Sequence, residues 1–337
     1  MTIVISQRSD LRFDNRGMDQ PLISVIIPTC YREHLLLLCV DSIEMQDYAH
    51  WEALIIDQDP KQSLRERLSQ RYPGDTRLRY FYLERAGASR ARNLGIQNAR
   101  AKIVAFIDDD AAAEPGWLLA IASAFSRDPS LVLVAGRIEP LWASKRPRWY
   151  PGEREFLLGL YNIGNEMRPM PEHDQPISAN MAGLREVILK LGGFDESLGF
   201  DHFRKRMITG EDATLGIRSR RAGYTPYYHP GMVVRHRISE SKVTRRYFLR
   251  RHFWEGVTTI AQMNLLGELP LHRRDILRFH TKILCMSVAR FVLPNYKSTY
   301  PYPKPQIRML ALSKIALSAG ICYGLLTTLN PPPTEKL

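Results

Sequence analysis

Three consecutive carboxylates, Asp108-Asp109-Asp110, close the apolar run Ile103-Val104-Ala105-Phe106-Ile107. Such a run reads as a buried strand, and the exit of a strand in an open α/β sheet is where ligands usually sit. Carboxylates this close raise one another's pKa unless a cation joins them. Oxygen ligands of this type suit Mg²⁺ or Mn²⁺, ions that commonly complete their shells with a substrate's phosphates. The triplet therefore suggests metal-assisted chemistry on a nucleotide diphosphate, set against the plainer reading of a solvated acidic turn.

The elements that must position the triplet lie upstream of it. Leu22 to Ile27 reads as a strand stopped by Pro28, which cannot donate to a central ladder, and a helix follows from Glu33 to Met45. Ala53 to Ile56 is a second strand ending at Asp57, residues 61–72 a polar-faced helix, and Arg79 to Tyr82 a further strand. Gly87 to Ala99 is a helix leading into the strand that carries the triplet. Alternation at this spacing predicts an α/β fold with a mostly parallel central sheet and right-handed connections. Neither G-x-G-x-x-G nor a Walker lysine loop follows the first strand, which removes two common classes of parallel-sheet protein.

A chain of 337 residues, 45% hydrophobic, can bury a full core. Its formal charge of +12 points to anionic partners without choosing among nucleotides, lipid headgroups and nucleic acid. The four cysteines, Cys30, Cys39, Cys285 and Cys322, are scattered and contain no C-x-x-C pair, so neither a zinc knuckle nor a disulfide framework is indicated. Residues 1–20 lack the basic flank and apolar stretch of a signal peptide, and a cytoplasmic catalytic part is expected.

Ser24-Val25-Ile26-Ile27-Pro28-Thr29, Leu54-Ile55-Ile56-Asp57, Gly87-Ala88-Ser89-Arg90-Ala91-Arg92-Asn93-Leu94-Gly95 and Phe106-Ile107-Asp108-Asp109-Asp110 occur in an order and spacing that resembles the family 2 glycosyltransferases of the GT-A fold. Two later segments, Gly192-Gly193-Phe194-Asp195-Glu196 and Gly210-Glu211-Asp212, extend the resemblance over roughly residues 21 to 240. It implies inverting transfer of a sugar from a nucleotide-diphosphate donor, usually with a divalent metal. By the same resemblance, Pro28 and Thr29 lie at the donor and Asp57 hydrogen-bonds its base. Asp108 and Asp110 form the D-x-D motif, the first near the ribose and the second on the metal, and Arg92 lies near the donor. Asp212 is implied as the general base, with Glu211 beside it on the acceptor side. Asn180 matches an acceptor-side strand, and His236 the strand-end histidine that some relatives bring to the metal. The chain departs from the pattern after the second strand, where Gln58 follows Asp57 and the next acid is Asp59. Trp149, Tyr150 and Tyr161 are candidates to stack on sugar rings, against the alternative of core packing.

Past His236, Arg245-Arg246-Tyr247-Phe248-Leu249-Arg250-Arg251-His252-Phe253-Trp254 interleaves cations with aromatics, which favours an anionic membrane surface over nucleic acid. The Q-x-x-R-W motif of processive relatives is absent, so single-sugar transfer is expected. Ile276 to Leu293 suits an interfacial helix, and Met309 to Leu329 is apolar for about a bilayer's thickness and holds Gly320-x-x-x-Gly324, a helix-packing face. The expected organisation is a tail (1–20), a donor half (21–140), an acceptor half (141–243) and a helical C-terminal region (244–337). The expected protein is a glycosyltransferase at the inner face of the cell membrane, with a glycan or lipid-linked acceptor. A nucleotidyltransferase, or a nucleotide-binding scaffold of the same fold without turnover, is the alternative.

Overall fold

The computed structural model describes residues 21–200, 207–269, 273–292 and 304–329. The expected N-terminal tail, Leu293 and the prolines at 331–333 lie outside these. The first half of the chain alternates strand and helix as the apolar runs require: β1 (Ile23–Thr29), α1 (Glu33–Glu44), β2 (Trp51–Asp57), α2 (Ser63–Arg71), β3 (Leu78–Tyr82), α3 (Ala88–Asn98) and β4 (Ile103–Ile107). Next come β5 (Ala111–Ala113), α4 (Trp117–Arg127), β6 (Leu133–Trp142), β7 (Arg168–Pro169), β8 (Asn180–Leu184), α5 (Arg185–Lys190), α6 (Glu211–Arg221) and β9 (Tyr227–Ile238). Among the described residues three helices follow: α7 (Arg245–Leu265), α8 (Arg273–Val292) and α9 (Lys304–Leu329).

One nine-stranded sheet, ordered β3-β2-β1-β4-β8-β6-β9-β5 with β7 on β9, runs through both expected halves. The four strands read from the sequence are parallel; β8 then enters antiparallel between β4 and β6, so the far side of the sheet is mixed. β1, β2 and β4 are buried along their whole length, as strands covered on both faces must be. Their side chains alternate between two cores. Val25 and Ile27 pack with Leu36, Val40 and Ile43 of α1, whereas Ile26 packs with Ala91 and Ile96 of α3.

Pro28 does not stop β1. The strand keeps its pairing with β2 as far as Thr29, but its pairing with β4 ends at Ile26. Proline is tolerated because one side of the strand is already open there.

The C-terminal helices also depart from a simple membrane stripe. Phe248 and His252 of α7 are buried, and Phe248 packs edge-on against Trp149 and Tyr150. Part of the basic and aromatic segment thus anchors α7 to the sheet-bearing part of the chain, and Tyr150 belongs to the core. The G-x-x-x-G face of α9 packs on α7 of the same chain. A Cβ added to Gly320 would lie 1.9 Å from the Phe253 carbonyl oxygen, and one on Gly256 would lie 2.2 Å from that of Leu317. Only glycine permits backbones this close.

Candidate active site

Four chain segments converge where the parallel strands end. The A-R-N segment of α3 is fixed by a clamp: Asn93 donates to the Phe194 carbonyl at 2.8 Å and accepts from the Phe194 N–H at 2.9 Å. Arg218 of α6 reaches Asp195 at 3.0 Å, which ties α6 to the same Gly-Gly-Phe-Asp-Glu segment. Gly210, at φ +92°, turns the chain into α6 in a conformation that side chains other than glycine rarely adopt, and so sets the direction of Glu211 and Asp212. On the other side, Ala111 of β5 pairs with His236 of β9, and the Arg237 N–H donates to the Asp110 carbonyl. That register brings a histidine more than a hundred residues away to the aspartate triplet.

The three aspartates have three different environments. Asp108 is partly exposed and accepts from Arg92 Nη2 at 2.9 Å. Asp109 is buried and accepts from Thr29 Oγ1 at 2.8 Å and Arg32 Nη1 at 3.0 Å; burial pushes its carboxyl up to about 6, against the pull of Arg32. Asp110 is equally buried, yet its carboxyl is held well below the usual range. Burial alone would raise it, but a hydrogen bond from His236 and the nearby charges of Lys242 and Arg32 outweigh that cost. His236 Nε2 is 3.0 Å from Asp110 Oδ1, while Lys242 Nζ is 3.0 Å and Arg32 Nη1 3.2 Å from Oδ2.

Arg92 joins this cluster to the second half of the chain. Its guanidinium, only 5% exposed, donates from Nη2 to Asp108 and from Nη1 to Glu211 Oε1 at 2.8 Å. Burial, followed by the neighbouring charge of Asp212, pushes the Glu211 carboxyl up to about 7 despite Arg92. Glu211 Oε2 is buried and has no hydrogen-bond partner among the described residues. Asp212 is half-buried; Oδ2 accepts from the Ser178 N–H at 3.0 Å and Oδ1 from the Ala213 N–H at 2.8 Å. These contacts fix the orientation of its carboxylate.

A cleft of about 1510 Å³ is lined by Pro28, Thr29, Arg92, Asp108, Asp110, Glu211, Asp212 and His236, so eight of the predicted residues share one space. Two do not line it. Asn180 is wholly buried, accepts from Trp117 Nε1, and donates to the carbonyls of Arg137 and Met232. With its amide fully used in holding β8 to its neighbours, it is a core residue and not a sugar contact. Asp57 is 1% exposed, and its oxygens accept from the Asp59 N–H and the Tyr80 hydroxyl. Gln58 stands at the cleft instead, donating to the Thr29 carbonyl and accepting from the Gly87 N–H. It thereby links the ends of β1 and β2 to the start of α3. Asp59 braces the turn, with its Oδ1 accepting from the Lys61 N–H. Among the three candidate stacking rings, Tyr161 lines the cleft and donates to Asp174 at 2.9 Å.

Arg32 and Lys242 were not predicted. Arg32 follows Tyr31, a non-glycine residue at φ +58° that turns the chain away from β1, and no motif in the sequence ties it to the aspartates. Lys242 lies in a 3₁₀ turn (Glu240–Val243) six residues past His236, where no local pattern marks it.

A divalent ion is testable against this arrangement. Among the described residues no group of three or more His, Cys, Asp or Glu side chains could hold one. Asp110 and His236 nevertheless present a carboxylate and an imidazole to the cleft, and a lysine ammonium already lies against both, so the position accepts positive charge. Two protein ligands suit Mg²⁺ or Mn²⁺ when phosphates and water supply the rest. The residues fit the ion.

The family model for glycosyl transferase family 2 matches residues 24–192, half of the chain. The glucosyl-dolichyl phosphate glucuronosyltransferase of Haloferax volcanii is 28% identical over 255 residues, covering 72% of this chain and 76% of that protein. Two solved structures share the fold. One is GalNAc-T7 with UDP, GalNAc and Mn²⁺ (TM-score 0.52, 17% identity, 78% of this chain and 55% of that one). The other is the mannosyltransferase PcManGT of Pyrobaculum calidifontis in complex with GDP-Man and Mn²⁺ (TM-score 0.50, 18% identity, 93% of this chain and 77% of that one).

Proposed function

The chain belongs to glycosyl transferase family 2, and from that premise we propose that it moves a single sugar, with inversion, from a nucleotide-diphosphate donor to a hydroxyl of a glycan or lipid-linked acceptor. It is a glycosyltransferase using a nucleotide-sugar donor. The inverting course, the metal and the acceptor are our reading. In that reading residues 21–140 build the donor side and 141–243 the acceptor side, with 244–337 a helical membrane-facing region.

The observation that carries this reading is Arg92, which contacts Asp108 and Glu211 at once and so sets the donor carboxylates and the Glu211-Asp212 pair on one cleft. The acceptor hydroxyl gives its proton to Asp212 as its oxygen attacks the anomeric carbon from the side opposite the diphosphate. A single displacement of this kind inverts the centre. Glu211 Oε2, buried and unpartnered among the described residues, is the hydrogen-bond acceptor offered to a second substrate hydroxyl. Asp110 and His236 would hold Mg²⁺ or Mn²⁺, an ion that would supply positive charge against the leaving diphosphate. Two neighbours of the same fold were solved with Mn²⁺ and a nucleotide or nucleotide sugar, in support.

Association with a membrane rests on three supports. Pro305–Thr327 of α9 is long and apolar enough to cross a bilayer, with a mean hydropathy of 1.7. Phe279, Met286 and Val288 of α8 and Tyr323 and Leu326 of α9 are exposed, and exposed Arg274, Arg278 and Lys282 accompany them on α8. The haloarchaeal relative is named for a dolichyl-phosphate-linked sugar.

The test is a thermal-shift panel of UDP- and GDP-sugars with and without Mn²⁺, since a ligand that binds the folded state raises its stability. A nucleotide sugar should shift the wild type further when Mn²⁺ is present, and Asp110→Ala should lose that metal-dependent part. An unchanged shift in the variant would remove Asp110 from the metal site.

A further inference from the structure

The position that Asp110 and His236 offer to a metal is also the resting place of a lysine. Lys242 Nζ lies 3.0 Å from Asp110 Oδ2 and 3.4 Å from His236 Nε2. Its backbone is fixed. The Lys242 N–H donates to the Ser239 carbonyl at 3.0 Å, and the next residue, Val243, is buried against the core. Its side chain is 20% exposed and lines the cleft, so the ammonium can turn on its four-carbon stem without moving the turn that carries it. Arg32, by contrast, is bound to Asp109 as well as Asp110, and is committed to the strand end.

Charge sets the order in which ion and donor can bind. Asp109 and Asp110 face two cations, Arg32 and Lys242, and the local balance is already near neutral. A divalent ion arriving alone at Asp110 would meet an ammonium about 3 Å from the oxygen it needs, and like charges at such a distance repel strongly in a partly buried site. A nucleoside diphosphate changes this balance, because its phosphates both complete the ion's shell and give the displaced ammonium a new anionic partner.

We propose that Lys242 is an internal counter-ion of the donor site: it holds the Asp110–His236 position before the donor binds, and yields it only to a divalent ion that arrives with a nucleoside diphosphate, onto whose phosphates the ammonium then moves. The inference rests on the reading of Asp110 and His236 as metal ligands. It makes binding of ion and donor mutually dependent, and it gives the leaving diphosphate a second positive charge from this chain.

The test measures Mn²⁺ binding by the full-length protein from the electron paramagnetic resonance signal of free Mn²⁺, without nucleotide and then with UDP or, in a separate arm, GDP. Wild type should bind Mn²⁺ alone weakly and much more tightly with one of the two nucleotides. Lys242→Met should bind Mn²⁺ alone roughly ten-fold or more tightly than wild type, with a smaller further gain from the nucleotide. Lys242→Arg, which keeps the charge, should behave as wild type, and Lys242→Gln serves as a second neutral variant should the methionine variant misfold. Equal affinities of wild type and the neutral variants for Mn²⁺ alone would overturn the proposal. Asp110→Ala tests the premise separately. If that variant binds Mn²⁺ with nucleotide as tightly as wild type, the metal site itself is wrongly assigned, whatever Lys242 does.

Discussion

Replacing Arg92 with methionine removes a side chain that touches both Asp108 and Glu211 while keeping most of its length. Arg92 and Glu211 are 5% and 8% exposed, so the variant leaves a buried carboxylate without its cation. Breaking a buried pair in this way costs about 3–5 kcal/mol. Protonation of Glu211 limits that cost. Its folded pKa, about 7, already lies above the unfolded value of 4.5, so the protonated form favours the fold at low pH, and that contribution is lost as pH rises through the folded value. Arg92 opposes the rise, and without it the folded pKa moves higher still. Arg92→Met should therefore be milder at pH 6 and more severe at pH 8.5, each pH unit above about 7 adding about 1.4 kcal/mol until Glu211 ionises in the variant as well. For a chain of this size the full effect corresponds to a fall of roughly 4–7 °C in Tm. Thermal melts of wild type, Arg92→Met, Glu211→Gln and the double variant at the two pH values give the coupling directly. The double variant should recover at least half of the loss and show little of the pH dependence. Strict additivity of the two single variants, with the same loss at both pH values, would refute the idea that Arg92 neutralises Glu211 across the cleft.

Two further predictions concern the C-terminal helices. Gly320→Ala places a methyl group 1.9 Å from the Phe253 carbonyl oxygen, and should cost roughly 1–3 kcal/mol and expose α9 to limited proteolysis while the sheet keeps its protection. His252 is buried on α7 with Nδ1 at 2.8 Å from the Phe248 carbonyl, and burial pushes its pKa down to about 4. Its neutral form stabilises the fold fully above the unfolded value of 6.5, and that stabilisation is lost as pH falls toward 4. His252→Leu should accordingly remove one proton's worth of slope, up to about 3 kcal/mol over that interval, from the acid side of the stability profile.

The donor half was legible because its signals are local. The short apolar runs Ala53 to Ile56 and Ile103 to Ile107 read as buried parallel strands, and they place Asp57 and Asp108 at strand exits without further information. Asp212 was legible from its own neighbourhood only as a helix-start acid, and its placement beside the donor carboxylates came from the family resemblance. That placement depends on Asn93 clamping Phe194 and on Arg218 holding Asp195, contacts between residues about a hundred and about twenty positions apart. Lys242 could not be read at all. It reaches Asp110 only because β9 pairs with β5 in a register that puts His236 opposite Ala111, and the 3₁₀ turn then folds back. Asn180 failed for the converse reason: its strand was placed correctly, but the side chain points into the sheet's own packing, where Trp117 and two carbonyls consume it. The basic and aromatic segment of α7 mixes roles that one stripe of sequence cannot separate, since Phe248 and His252 turn inward while Arg251 pairs with Glu255 and Phe253 packs beside Tyr323 of α9.

The account's central claim is that the aspartate cluster holds the donor while Asp212 takes the acceptor's proton, and the most direct measurement is donor turnover by Asp212→Asn beside wild type. Nucleoside diphosphate release from the nucleotide sugar that gives the largest metal-dependent thermal shift should fall by about 10²–10⁴-fold, as expected on losing a general base. The thermal shift itself should persist. Turnover in Asp212→Asn equal to that of wild type would contradict the claim.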